Sequence, residues 1–163
     1  RAWVGGINFE HFKYDQVKMG SRQVGSTAKP FTYAVAIGNG GYSPCYSVQN
    51  EPVSIDAGDG TTWTPKAYNP IPGPLTLKRA LAHSQNYVTA YMMKQVGATA
   101  VATLTKNMGI TTKVLAVSSI SLGTFDASVY DMVGAYSVFV NHGIWTEPIY
   151  LLRIEDKNGN VIY

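Results

Sequence analysis

Between Gly25 and Gly41 the chain reads Gly-Ser-Thr-Ala-Lys-Pro-Phe-Thr-Tyr-Ala-Val-Ala-Ile-Gly-Asn-Gly-Gly, an apolar helical segment with a glycine at each boundary. Phe31, Ala34, Val35 and Ile37 form an apolar stripe, and Gly38, Gly40 and Gly41 supply a stop. Pro30 falls in the first turn, where its missing N–H costs little. This pattern predicts a buried helix over Ser26–Gly38, around which the rest of the chain must pack.

The start of that helix carries chemistry. Ser26 and Lys29 are three residues apart, so one turn brings amine and hydroxyl to the same face. A serine hydroxyl becomes a nucleophile only when a neighbouring base takes its proton. Lysine serves as that base once burial or the positive end of a helix lowers its pKa. The free N–H groups of a first helical turn can also hold an oxyanion. A bare Ser-x-x-Lys match is common, and its ordinary reading is a surface lysine near an N-cap serine. Its placement at a buried helix start, after a glycine, gives it weight.

Composition limits the alternatives. The 163 residues suffice for one core and are too few for two domains. An apolar share of 45% with 14% charged residues describes a globular chain. A net charge of +3 without a basic run argues against nucleic acid. The single Cys45 allows no internal disulfide, and His11, His83 and His142 lack metal-ligand spacing, so no metal or cofactor is expected. No apolar run reaches the roughly 18 residues of a membrane span. Because the chain opens at Arg1 in strand-like sequence and closes after a hairpin signal, it is expected to be a piece of a longer protein.

Arg1–Gly6 reads as a short strand and His11–Gly25 as an irregular loop. A turn-rich stretch follows from Tyr42 to Pro74, with short strands at Val53–Ile55 and Thr61–Thr64. Helices are predicted over Leu75–His83, Tyr87–Val96 (closed by Gly97) and Thr99–Met108 (closed by Gly109). Ser128 to Asp131 forms a capping-box pattern opening a helix to about Val140, ended by Asn141-His142-Gly143. Ile149–Tyr163 reads as a hairpin around Asn158-Gly159. The fold class is α+β, mostly helical. Trp63 and Tyr68 are candidates for a groove wall, although core or loop packing is their ordinary role.

Ser84-Gln85-Asn86 interrupts two of these helices, where short polar side chains can project into a cleft. A hydroxyl there can relay a proton, and an amide offers both donor and acceptor to a peptide. The ordinary reading is a helix stop followed by an Asn N-cap.

Taken together, the two motifs resemble those of the penicillin-binding serine transpeptidases. Arg22–Tyr33 resembles the nucleophile segment of the class A, bifunctional members, and Gly73–Leu81 leading into Ser84-Gln85-Asn86 resembles their second segment. Ser121-Leu122-Gly123, Ala135-Tyr136 and Asn141-His142-Gly143 resemble the stretch that follows. The resemblance covers Trp3 to about Tyr163. It implies a partial transpeptidase domain over residues 1–163, truncated at both ends: the helical lobe of the serine transpeptidase/β-lactamase-like fold with only part of its antiparallel sheet.

By that resemblance Ser26 is the acylated nucleophile, Lys29 its base, Ser84 a proton relay and Asn86 a holder of substrate backbone. The implied partners are the D-Ala-D-Ala end of a peptidoglycan stem peptide and β-lactams. The implied setting is extracytoplasmic, in a membrane-anchored parent with an upstream glycosyltransferase domain. The family's third motif, Lys-Thr-Gly, has no counterpart in these residues, nor does a His or Arg version of it. The isolated residues are therefore expected to acylate poorly. A class A β-lactamase needs a glutamate after the second motif, and no acidic residue lies between Asn86 and Phe125. A DD-carboxypeptidase and a non-enzymatic β-lactam sensor are the remaining alternatives.

Overall fold

The computed structural model describes residues 2–8, 10–56 and 60–163. Among the described residues five α-helices dominate: α1 (Lys29–Gly38), α2 (Leu77–Ala82), α3 (Asn86–Val96), α4 (Ala98–Asn107) and α5 (Val129–Val140). Six short strands among the same residues form three separate two-stranded antiparallel ladders. β1 (Ser21–Gln23) pairs with β6 (Asp126–Ser128), β2 (Ser47–Gln49) with β5 (Pro74–Thr76), and β3 (Ile55–Asp56) with β4 (Thr62–Trp63). The fold is α+β, as the sequence predicts.

The helix predicted from Ser26 is broken in two. Gly25–Ala28 form a 3-10 turn, and the α-helix begins at Lys29. Pro30 explains the break. It has no N–H to give to the carbonyl of Ser26, so that carbonyl accepts instead from Lys29 N, one residue nearer. Ser26 thereby sits in a tight turn ahead of the helix proper.

Helices α1 and α3 are each buried on more than one side, which places them at the centre. Phe31 and Val35 of α1 join Ala90 and Met93 of α3 in a cluster with Val101, Ile110, Ile120 and Phe125. Tyr33 and Ala36 of α1 join Val88 and Met92 of α3 in a second cluster with Val48, Leu75 and Leu77. Each helix is thus fixed by contacts from two directions. The helix α5 is different: Val129, Val133, Phe139 and Val140 on it are exposed. Its start carries the predicted capping box, with Asp131 N donating to Ser128 Oγ at 3.0 Å and Ser128 N to the Asp131 carboxylate at 3.4 Å.

Several expectations need correction. Ala2–Gly6 are not a strand; Trp3 instead packs against Tyr150 in a tilted arrangement, ring centroids 4.3 Å apart, and its indole N–H donates to Asp15. Arg1 lies outside the described residues, as do residues 57–59 of the predicted turn-rich stretch. The expected loop before Gly25 contains β1, whose three side chains are all exposed and therefore give no alternating pattern. The helix predicted from Leu75 starts at Leu77, because Leu75 and Thr76 pair with β2 and the Thr76 hydroxyl caps the helix by accepting from Arg79 N. The C-terminal hairpin contracts to a single bridge, Glu155 with Val161, around a turn in which the Asp156 carboxylate accepts from Asn158 N and Asn160 N.

One contact anchors the turn that bears Ser26. Gly25 (φ +56°) and Gly123 (φ +76°) meet backbone to backbone, with Gly25 N donating to Gly123 O at 3.1 Å. A Cβ at Gly123 would lie 2.0 Å from the Gly25 carbonyl oxygen. Gly123→Ala is expected to destabilise the fold by about 3 kcal/mol, from overpacking against backbone plus an unfavourable positive φ. Denaturant unfolding would measure this.

Candidate active site

Lys29 is the first residue of α1, and its side chain is only 1% exposed. Burying an ammonium is costly unless its donors are met, and all three are. Nζ donates to Ser84 Oγ at 2.9 Å, to Asn86 Oδ1 at 2.6 Å and to the backbone carbonyl of Ser84. The sequence places these partners 55 and 57 residues away. Three of the four predicted site residues thus converge on one nitrogen. Burial lowers the Lys29 pKa from 10.5 to about 8. About a tenth of the amine is then unprotonated at pH 7, far more than for an ordinary lysine.

Ser26 is exposed, in the 3-10 turn ahead of the lysine. Among the described residues, the three Lys29 donors go to Ser84 and Asn86, and no hydrogen bond joins the amine to the Ser26 hydroxyl. What the structure does fix is the turn itself. Val24 N donates to Phe125 O at 3.1 Å, Gly25 is held by Gly123, and the Tyr136 hydroxyl on α5 donates to Thr27 O at 2.7 Å. Burial pushes the Tyr136 pKa up. An apolar groove of about 480 Å³ runs past this turn between β1 and α5, lined by Val24, Thr27, Met132, Val133 and Tyr136 among others. None of Ser26, Lys29, Ser84 and Asn86 lines it.

Ser84 occupies a special backbone position. It follows His83, the cap of α2, and Ser84 N donates to Leu81 O while Gln85 N donates to Ala80 O, both at 2.9 Å. These two bonds define a Schellman helix end, whose outer residue adopts the left-handed conformation and is usually glycine. Here it is Ser84, at φ +53°. The same conformation aims both its carbonyl and its hydroxyl at Lys29. Asn86 opens α3 and uses its other end, with Nδ2 donating to Lys66 O at 2.6 Å. It therefore joins the lysine to the strap after β4.

Sequence reasoning missed Gln85, Asn50, the Lys66 carbonyl and the anchoring role of Tyr136. Their side chains or carbonyls come from loops and helices far apart in the chain, so no local spacing reveals them. Trp63 is half-buried against the main core, whereas Tyr68 is exposed. No group of three or more metal-ligating side chains exists among the described residues.

If Ser84 is held left-handed by its surroundings, glycine should suit the position better than alanine. Ser84→Gly is expected to be more stable than Ser84→Ala by about 1 kcal/mol in denaturant unfolding, although both lose the hydroxyl.

Comparison with known proteins identifies the family. The family described as the penicillin binding protein transpeptidase domain matches residues 13–162. The chain is 34% identical to penicillin-binding protein 1A of Rickettsia conorii over 164 residues, covering 99% of this chain and 21% of that protein. It is 34% identical to penicillin-binding protein 1A of Vibrio cholerae over 163 residues, covering 98% and 20% respectively. The crystal structure of penicillin-binding protein 1A from Haemophilus influenzae superposes with a TM-score of 0.86 at 29% identity, over 98% of this chain and 24% of that one. The chain thus spans about a fifth of the length of these curated relatives. It belongs to the transpeptidase-domain family of penicillin-binding proteins.

Proposed function

We propose that this chain supplies the nucleophile side of a D,D-transpeptidase that cross-links peptidoglycan stem peptides through an acyl-enzyme on Ser26. The observation that carries the reading is the buried Lys29 amine, held by Ser84 and Asn86 and with its pKa lowered to about 8. As a free base, Lys29 keeps two N–H donors, enough for the Ser84 carbonyl and Asn86 Oδ1. Its lone pair is then open to a hydroxyl proton.

Ser26 Oγ attacks the carbonyl of the penultimate D-Ala, and its proton passes to Lys29. Ser84, at 2.9 Å from the amine, hands a proton on to the departing D-Ala nitrogen. The Ser26 N–H, in the first turn before α1, forms part of the oxyanion hole. Asn86 retains one N–H and one lone pair beyond its bonds to Lys66 and Lys29, and these receive the peptide backbone. An amine on a neighbouring strand then takes the acyl group and frees Ser26. A β-lactam imitates the dipeptide and acylates the same oxygen.

The chain is read as part of one transpeptidase domain in an extracytoplasmic, membrane-anchored protein that also carries a glycosyltransferase domain. Among the described residues, no helix is long and apolar enough to cross a membrane.

In the full-length protein that carries this chain, Lys29→Met is expected to slow acylation by fluorescent penicillin by at least about a hundredfold with the fold intact. Acylation by the unaltered protein should rise about tenfold per pH unit below the Lys29 pKa and level off above pH 8 or so, because only the free amine accepts the proton. An unchanged rate in Lys29→Met would sink the reading. Residues 1–163 alone, which contain no Lys-Thr-Gly triplet, should show little penicillin adduct by intact-protein mass spectrometry. Rapid stoichiometric labelling would contradict that expectation.

A further inference from the structure

The residue between Ser84 and Asn86 is unlike them. Gln85 is 6% exposed, and all its hydrogen bonds are internal. Its Oε1 accepts from Asn50 Nδ2 at 2.7 Å and from Ile71 N at 3.1 Å, and its Nε2 donates back to His83 O at 3.0 Å. The side chain therefore ties down the carbonyl that precedes Ser84 and bonds the strap that runs on from Lys66. Its own carbonyl accepts from the Thr89 hydroxyl at 2.8 Å, one turn into α3.

Asn50 completes the arrangement. It is 5% exposed, its Nδ2 also donates to Ile71 O at 2.7 Å, and its backbone N donates to Gly73 O at 3.2 Å. The amide orientations are forced: Ile71 offers a carbonyl to Asn50 and an N–H to Gln85, so neither side chain can flip without opposing like groups. The Asn50 Oδ1 is buried without a partner. A buried unpaired acceptor costs stability. Asn50 is thus not simply completing its own hydrogen bonds there.

We propose that Gln85 and Asn50 are positioning residues for the proposed acyl transfer: their buried amide pair locks the left-handed Ser84 and the start of α3, so that Ser84 and Asn86 stay on the Lys29 amine. The inference rests on the acyl-transfer reading above. A Schellman end with serine in glycine's place is under strain, and it keeps its geometry only where the surroundings impose it. Gln85 supplies that constraint by bonding His83, the residue before Ser84, and by tying its own side chain to Ile71 and Asn50. Loosening the lock would let Ser84 and Asn86 drift from the amine, which leaves the ammonium with fewer acceptors and the relay misaligned.

The test uses the full-length protein and a fluorescent penicillin, comparing the unaltered chain with Gln85→Met, Asn50→Leu and the double variant. Either single variant should lower the acylation rate constant by about tenfold or more, as misplacement in a reacting site does. The midpoint of its pH profile should move down by about half a unit, because an ammonium deprived of acceptors loses its proton more readily. The double variant should be little worse than the worse single one, since both remove the same lock. Folded variants with a lowered melting temperature but unchanged rate constant and midpoint would overturn the proposal and leave the pair a structural amide. Loss of folding in both single variants would equally overturn it, because the pair would then hold the domain rather than the site. An unaltered protein that takes no label would defeat the acyl-transfer reading itself, before any variant is compared, and this inference with it.

Discussion

A positive charge inside a protein must be answered by acceptors, and most of this site follows from how Lys29 is answered. Its ammonium reaches a hydroxyl, an amide oxygen and a backbone carbonyl, all from the junction between α2 and α3. Two segments more than fifty residues apart are thereby held together at their most polar point, within an otherwise apolar centre. The same burial that makes the contacts necessary also lowers the pKa. Structural cost and chemical readiness have one cause.

The geometry depends on how rigidly α1 and α3 are held. Each helix contributes side chains to both hydrophobic clusters, so a shift that relieved one would strain the other. The Ser26 turn is fixed separately, by the Gly25–Gly123 backbone contact and by Tyr136 reaching across from α5. The candidate nucleophile and its candidate base are therefore placed by different parts of the fold. Ser26 remains exposed while Lys29, three residues later, is sealed off.

Ser84 illustrates what its proposed role costs. A glycine at that helix end would adopt the left-handed conformation without penalty, but it would offer Lys29 no hydroxyl. The fold accepts a left-handed serine and places beside it Gln85, which bonds His83, Asn50 and Ile71. Strain of this kind is concentrated where a side chain has to be in one place for a chemical reason.

The sequence by itself determined the helices with strong local signals. The Ser128–Asp131 capping box, the glycines after α3 and α4 and the apolar stripe of α1 are each signals contained within a few residues of chain. It also named Ser26, Lys29, Ser84 and Asn86, through short motifs and a family resemblance. Elements whose stability comes from distant partners were not legible: β1 has exposed side chains throughout and exists because β6 lies beside it, while Ala2–Gly6 fail as a strand despite their composition. Only the tertiary structure decided that the Lys29 amine bonds Ser84 and Asn86, and that Gln85 is buried against Asn50. Spacing along a helix fixes which residues share a face, but which acceptor a buried charge finds depends on what the rest of the chain brings there.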